Sequence, residues 1–199
     1  NIYEKEDEIY FQRMWSNTQP RHKRFYRDWV NMGVDKREKK RYLDVDERPN
    51  GRQNLKFFFN YQIGWSYFRY FMWNFAGRQN DFKNMDGNAI YGNWESGIKF
   101  FDNWRLGTPS NIEVPDYLKN NKAKNHYFFL PLILGLLGML FHFKKNQKDA
   151  ISIFLLFLFT GILIIVYLNI TPDQPRERDY AYVGSYYAFS IWIGIGVLA

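Results

Sequence analysis

The chain has 199 residues, 46% of them hydrophobic and 21% aromatic, with a net charge of +7 and no cysteine. The missing cysteines exclude disulfides, thiolate nucleophiles and cysteine-ligated zinc. The positive charge suits nucleic acid, anionic lipid or a phosphorylated substrate; no nucleic-acid motif accompanies it, so lipid phosphate is favoured and nucleic acid is not an expected partner.

The mean hydropathy of −0.47 suggests a soluble protein, but it averages two unlike parts. Residues 1–125 are polar, basic and aromatic, whereas 126–199 are dominated by Leu, Ile, Phe, Tyr and Gly. This division predicts an all-α integral membrane protein, a multi-pass helical bundle carrying an aromatic, basic extramembrane segment. The chain starts without Met and stops inside an apolar run, so the expectation is an internal piece whose partners include the lipid bilayer and the remainder of its own longer chain.

In chain order, residues 2–15 alternate acids and aromatics without a clean period. Residues 21–41 predict a solvated basic helix followed by a loop, and its run 36–41 could touch anionic headgroups. Residues 44–51 form a turn punctuated by Pro49-Asn50-Gly51. Residues 54–77 predict a long helix, with Asn54 as N-cap and Gly77 just past its end. At about 100° per residue, Lys56, Asn60, Asn74 and Arg78 share one side, Gln62, Ser66 and Arg69 the opposite one, and aromatics fill the rest. Such a helix is sandwiched in the protein or lies at the lipid interface rather than spanning, because Arg69 would sit deep without an obvious partner. Residues 80–115, rich in Gly, Asn and Asp, predict an ordered loop, and 86–92 lack the ligand pattern of a calcium site.

Three membrane helices are predicted, about 127–143, 150–168 and 182–199. The first is near the lower length limit for spanning; its Gly135 and Gly138, with Gly184, Gly194 and Gly196 of the third, allow close helix packing. Three crossings put 144–149 on one side and both 1–125 and the corner 174–180 on the other. Lysines and arginines are spread over both sides, so the charge rule leaves the orientation open.

The corner Gln174-Pro-Arg-Glu-Arg-Asp-Tyr180 holds two arginines and two acids at the rim of a bilayer, where charge is costly and mostly serves pairing or a charged ligand. Arg176 and Arg178 can present planar donor forks to a lipid phosphate, held by Glu177 and Asp179 or by another base. The alternative is an interfacial salt-bridge cluster that only orients the third helix. Trp65, Arg69, Trp73, Arg78 and Asp81 form a possible groove for sugar or prenyl chain, or else an ordinary aromatic core. Asp102 and Glu95 could serve acid–base chemistry only in a membrane-facing cavity; a solvated loop is the simpler expectation. His22, His126 and His142 show no ligand spacing, so no metal is expected.

Phe11-Gln-Arg-Met-Trp-Ser16, Phe59-Asn-Tyr-Gln-Ile-Gly-Trp65, Arg69-Tyr-Phe-Met-Trp-Asn-Phe-Ala-Gly-Arg-Gln-Asn-Asp81, Gly92-Asn-Trp-Glu-Ser-Gly97 and the 174–184 segment stand in one order. Together they resemble the multi-pass family catalogued as domain of unknown function 2723, found in Bacteroidetes-type bacteria and similar to protein O-mannosyltransferases of the GT-C superfamily. The resemblance implies a glycosyltransferase of the bacterial inner membrane, with 1–125 in the periplasm. Its donor would be a polyprenyl-phosphate-linked sugar and its acceptor Ser or Thr of an exported protein; no other cofactor is implied. No residue here matches that family's catalytic acid, so the catalytic residue stays unknown. The rival is a non-catalytic scaffold or transporter in envelope assembly.

Overall fold

The computed structural model describes residues 13–14, 19–31, 49–84, 87–107, 115–172 and 176–199. The basic run 36–41, most of 2–15, the start of the 44–51 turn, Asp86, and Gln174 and Pro175 of the corner lie outside the described residues. What is described is mostly helical.

Helix α1, Pro20–Val30, opens on a proline at its first position and closes on Asn31 in the left-handed region, where a short polar side chain is tolerated. It presents Tyr26 and Val30 to Phe57 and Tyr61, forming a small cluster.

The long aromatic helix is built from α2 (Gly51–Phe57), a π-helical stretch (Phe58–Phe68) and α3 (Arg69–Phe75), which run on without a break. Its N-cap is Asn50, not Asn54. Asn50 Oδ1 accepts from Gln53 N at 3.0 Å and Gln53 Oε1 accepts from Asn50 N at 2.7 Å, a reciprocal capping box. Asn54 is instead buried, accepting from Met14 N at 3.0 Å. The π-helical turns, where the Arg69 N–H reaches back to the Gly64 carbonyl, rotate successive side chains differently from an α-helix. Gln62, Ser66 and Arg69 are all buried. Gln62 Nε2 donates to Asn169 Oδ1 at 3.0 Å and to the Ile170 carbonyl at 3.3 Å, and Arg13 reaches the Val166 carbonyl at 3.2 Å.

Past Ala76 the chain turns into β1, Gly77–Arg78, which pairs antiparallel with β2, Asn125–His126. Gly77 takes φ +137°, and a Cβ there would strike backbone of both Glu95 and Asn125; only glycine fits this crossing of three chain segments. Helix α4, Lys99–Leu106, and the single turn α5, Asp116–Lys119, complete this part.

The apolar half folds as α6 (Leu130–Lys145), α7 (Gln147–Thr160), α8 (Ile162–Leu168) and α9 (Val183–Leu198). Two continuous helical stretches, Gln147–Leu168 and Asp179–Leu198, are long and apolar enough to cross a membrane. Only 11% and 33% of their most apolar windows is buried, unlike the core helix of a soluble protein. The first expected span comes out shorter. Phe128 and Phe129 both adopt positive φ, 53° and 59°, so the helix cannot start before Leu130. Its 16 residues rise about 24 Å, against a hydrocarbon thickness of about 30 Å.

Helices α6 and α9 make the most extensive contact. A Cβ on Gly138 would fall onto the Trp192 carbonyl and lie 2.6 Å from Gly196 N, and one on Gly196 would fall onto the Leu134 carbonyl. The backbones therefore touch through a glycine seat. Both helices begin beside the aromatic helix. Tyr127 N donates to the Ala76 carbonyl at 2.9 Å and Arg178 N to the Tyr70 hydroxyl at 3.3 Å. The 144–149 turn lies a helix length away. The core joins Phe71, Phe75, Phe157, Phe189 and Trp192 through ring contacts across the aromatic helix and α7–α9.

Candidate functional site

Arg69 is the buried charge around which the site is built. Burial without a partner would be costly for a guanidinium, and each side of it is satisfied. Nη2 lies 2.8 Å from Glu177 Oε2, Nη1 donates to the Gly92 carbonyl at 2.7 Å, and Nε donates to the Trp65 carbonyl at 3.1 Å. Its Cζ stands 4.4 Å from the ring centres of Trp65 and Tyr70 and 4.8 Å from that of Trp73, close enough for cation–π attraction.

Glu177 is equally committed. It also accepts from the Tyr70 hydroxyl and from Asn84 N at 3.3 Å. Burial would raise its carboxyl, but the Arg69 hydrogen bond and charge, with Tyr70 and Asn84, outweigh that and hold it below the usual carboxylate value. Burial, in turn, pushes the Tyr70 hydroxyl well up, with the neighbouring Glu177 charge adding to it, so it stays a donor.

The 79–93 loop fits against this pair because its asparagines bond to loop backbone. Asn80 Nδ2 donates to the Ile90 carbonyl at 2.9 Å, while Asn80 Oδ1 accepts from Gly92 N at 2.8 Å. Asn84 Nδ2 donates to the Asn88 carbonyl at 2.6 Å, and Asn93 Nδ2 to the same oxygen at 2.7 Å. These bonds fix the Gly92 carbonyl toward Arg69 and the Asn84 amide toward Glu177.

Beside the pair lies a pocket of about 40 Å³, room for about three water molecules or one phosphate-sized anion. Arg176, Arg178 and Lys83 line it, with Tyr61 and Trp65 as an aromatic wall. Among the described residues none of those three cationic groups has a hydrogen bond or ion pair from its side chain. Arg176 and Lys83 are exposed and Arg178 is half-buried. One committed pair, Arg69–Glu177, and three free positive charges thus converge on one small cavity.

Of the residues singled out from sequence, Arg176, Arg178, Trp65 and Arg69 all line this pocket. Of the two arrangements open to Glu177, pairing with Arg176 and Arg178 or with another base, it takes the second and neutralises Arg69. The reason is burial, since an unpaired charge in the interior costs several kcal/mol, while a rim arginine keeps its water. Asp179 likewise makes no ion pair with its chain neighbours among the described residues; it is the leading counter-charge on Arg78, whose guanidinium burial holds below its ordinary value. Trp73 and Arg78 stand behind the pocket, the Arg78 guanidinium 3.9 Å from the Trp73 ring centre. Asp81 points away, accepting from Asn121 Nδ2 at 2.8 Å. Lys83, Asn84 and Tyr70 were not foreseen. The Asn80, Asn84, Asn88, Asn93 series was the available signal for the loop; nothing local marks Lys83.

Asp102 is no solvated-loop residue. It is buried and accepts from Ser96 N and Oγ, both at 2.9 Å, and from Gly97 N at 2.8 Å. Glu95 Oε2 sits 3.6 Å from Lys124 Nζ and 3.3 Å from His126 Nε2. Neither acid lines the pocket. Among the described residues no three His, Asp or Glu side chains gather as a metal site would require.

Comparison with known families corrects the expectation drawn from motif order. Residues 1–59 match a family of unknown function, DUF8416. That is a different family from domain of unknown function 2723, and no GT-C or mannosyltransferase family matches. The motifs quoted above are therefore short aromatic and polar strings whose order alone misled. No curated protein and no solved structure matches the chain.

Proposed function

We propose that this chain is a multi-pass membrane protein that grips the phosphate of an anionic lipid in the pocket of Arg176, Arg178 and Lys83. The observation that carries the reading is the uncommitted charge. Three cations face a phosphate-sized cavity, while the carboxylate that lines it among the described residues, Glu177, is tied to Arg69. Guanidinium forks suit phosphate oxygens. The pocket also sits where α8 ends and the segment into α9 begins, lined by Ile170 and Tyr182, which is headgroup level if both long helices cross. The apolar surfaces of α6, α7 and α9 support three crossings, with the shorter α6 accommodated by local thinning of the bilayer.

A polyprenyl-phosphate-linked sugar in a bacterial inner membrane is one lipid of this class. Sugar transfer to an exported protein would need a free acid beside the phosphate. No described carboxylate in the pocket is free, so the reading stops at binding.

The test uses the purified chain in detergent with a short polyprenyl phosphate, followed by titration calorimetry. Wild type binds, and the Arg176→Gln/Arg178→Gln variant binds at least tenfold more weakly with unchanged thermal unfolding. Equal affinity in the two proteins overturns the proposal.

A further inference from the structure

Helix α4 has a face that the fold leaves open. Its inner side is locked: Asp102 caps the Ser96–Gly97 turn, Arg105 lies 3.8 Å over the Trp94 ring and donates to the Trp94 carbonyl, and Phe101 packs 5.3 Å from Phe129. The orientation of the helix is thereby fixed. Its outer side carries Phe100, 87% exposed, and Trp104, 75% exposed, one turn apart on the same stripe.

The Phe101–Phe129 contact places this stripe beside the entry to α6, where Phe128 and Leu130 are also exposed. From Leu130 onward Ile133, Leu136, Leu137 and Leu140 continue the open apolar surface along α6. The α4 face is thus continuous with the surface that the membrane reading assigns to lipid, and it sits at that surface's edge. Aromatic side chains favour that level, where one end of the ring is apolar and the other wet. A short helix with two large aromatics outward and its charges turned inward or to the flank is built to lie in the boundary between headgroups and acyl chains.

We propose that α4 is an interfacial anchor, with Phe100 and Trp104 inserted into the headgroup–acyl boundary of the bilayer that α7–α9 cross. The inference rests on the membrane reading above, and the experiment separates the two. The chain has no cysteine, so single substitutions Phe100→Cys, Trp104→Cys, Leu156→Cys and Lys119→Cys can each carry one environment-sensitive fluorophore. The full chain is placed in phosphatidylcholine nanodiscs, and quenching by doxyl-labelled lipid is compared with quenching by aqueous iodide.

The expected result is doxyl quenching at 100 and 104, with iodide access at least twofold lower than at 119. Iodide access at 100 and 104 equal to that at 119, with 156 still quenched by doxyl, overturns the anchor and leaves the crossing intact. Protection of 100 and 104 from both quenchers means that protein covers the face, and also overturns it. A label at 156 that doxyl lipid does not reach removes the membrane reading and the anchor together.

Discussion

Glu177 is the counter-ion of Arg69 at 2.8 Å across 108 residues of chain, and the pair ties the aromatic helix to the segment that leads into α9. Its placement explains why a guanidinium can be buried beside three indole and phenol rings. Among the described residues it also leaves Arg176 and Arg178 without a carboxylate, and therefore open to an outside anion.

Replacing Glu177 by Gln removes the charge and keeps the shape. Arg69 is then a buried cation without its partner, and the loss is about 3 kcal/mol. The double replacement Arg69→Met/Glu177→Leu costs less than the single one, because no charge is stranded. Thermal unfolding of the detergent-solubilised protein reads both; a Glu177→Gln variant as stable as wild type would show that Arg69 is held by its carbonyl partners alone.

The same pair sets an acid limit. Glu177 has a folded-state value below its ordinary 4.5, so its contribution is complete above that ordinary value and falls away as pH drops through the lower folded one. Unfolding temperature should be flat with respect to Glu177 from pH 7 down to about 5 and then decline in wild type. In Glu177→Gln the decline below the ordinary carboxylate range should be shallower.

Lys83, exposed like Arg176 but without a guanidinium fork, contributes by charge alone. Lys83→Gln should weaken lipid-phosphate binding roughly threefold, in keeping with an exposed pair worth under about 1 kcal/mol, and 0.5 M salt should erase the difference. A loss as large as that of the double arginine variant would assign Lys83 a direct bond to phosphate.

Much of the architecture could be read from residues, and the exceptions have physical causes. The two long apolar helices follow from composition alone. The late start of α6, at Leu130, did not, because the positive φ of Phe128 and Phe129 leaves no trace in hydropathy. The aromatic helix was legible but its winding was not. A wheel drawn at α-helical spacing puts Gln62, Ser66 and Arg69 on one side, and all three are buried, but nothing in the residue pattern marks the π-helical stretch 58–68. Asn50 with Gln53 three residues on was a legible cap, overshadowed by Asn54. The Arg176–Arg178 corner stood out by charge, but its wiring depended on Arg69, which no local pattern connects to Glu177. The family resemblance failed because short motifs of common aromatic and polar residues recur without shared descent.

The glycine seat gives a packing test with an internal control. Gly138→Ala and Gly196→Ala each force α6 and α9 apart and should cost about 1–3 kcal/mol. Gly194→Ala should be nearly neutral, since nothing lies within 4 Å of the position its Cβ would occupy. Equal unfolding temperatures for all three variants would mean that the two helices do not touch there.

Asp102→Ala removes an acceptor shared by three donors. It should cost about 2 kcal/mol and release α4, raising hydrogen exchange at Ser96 and Gly97. Unchanged exchange there would show that the turn holds itself.

Trp73 shares its ring with two guanidinium groups, Arg78 at 3.9 Å and Arg69 at 4.8 Å, and Arg69 also borders the pocket. Any ligand that draws Arg69 toward itself alters the electric field on that indole. The molecule consequently contains its own optical gauge of occupancy, a shift in emission that Trp73→Phe would diminish and that Trp65, in the pocket wall with Arg69 4.4 Å from its ring centre, would share.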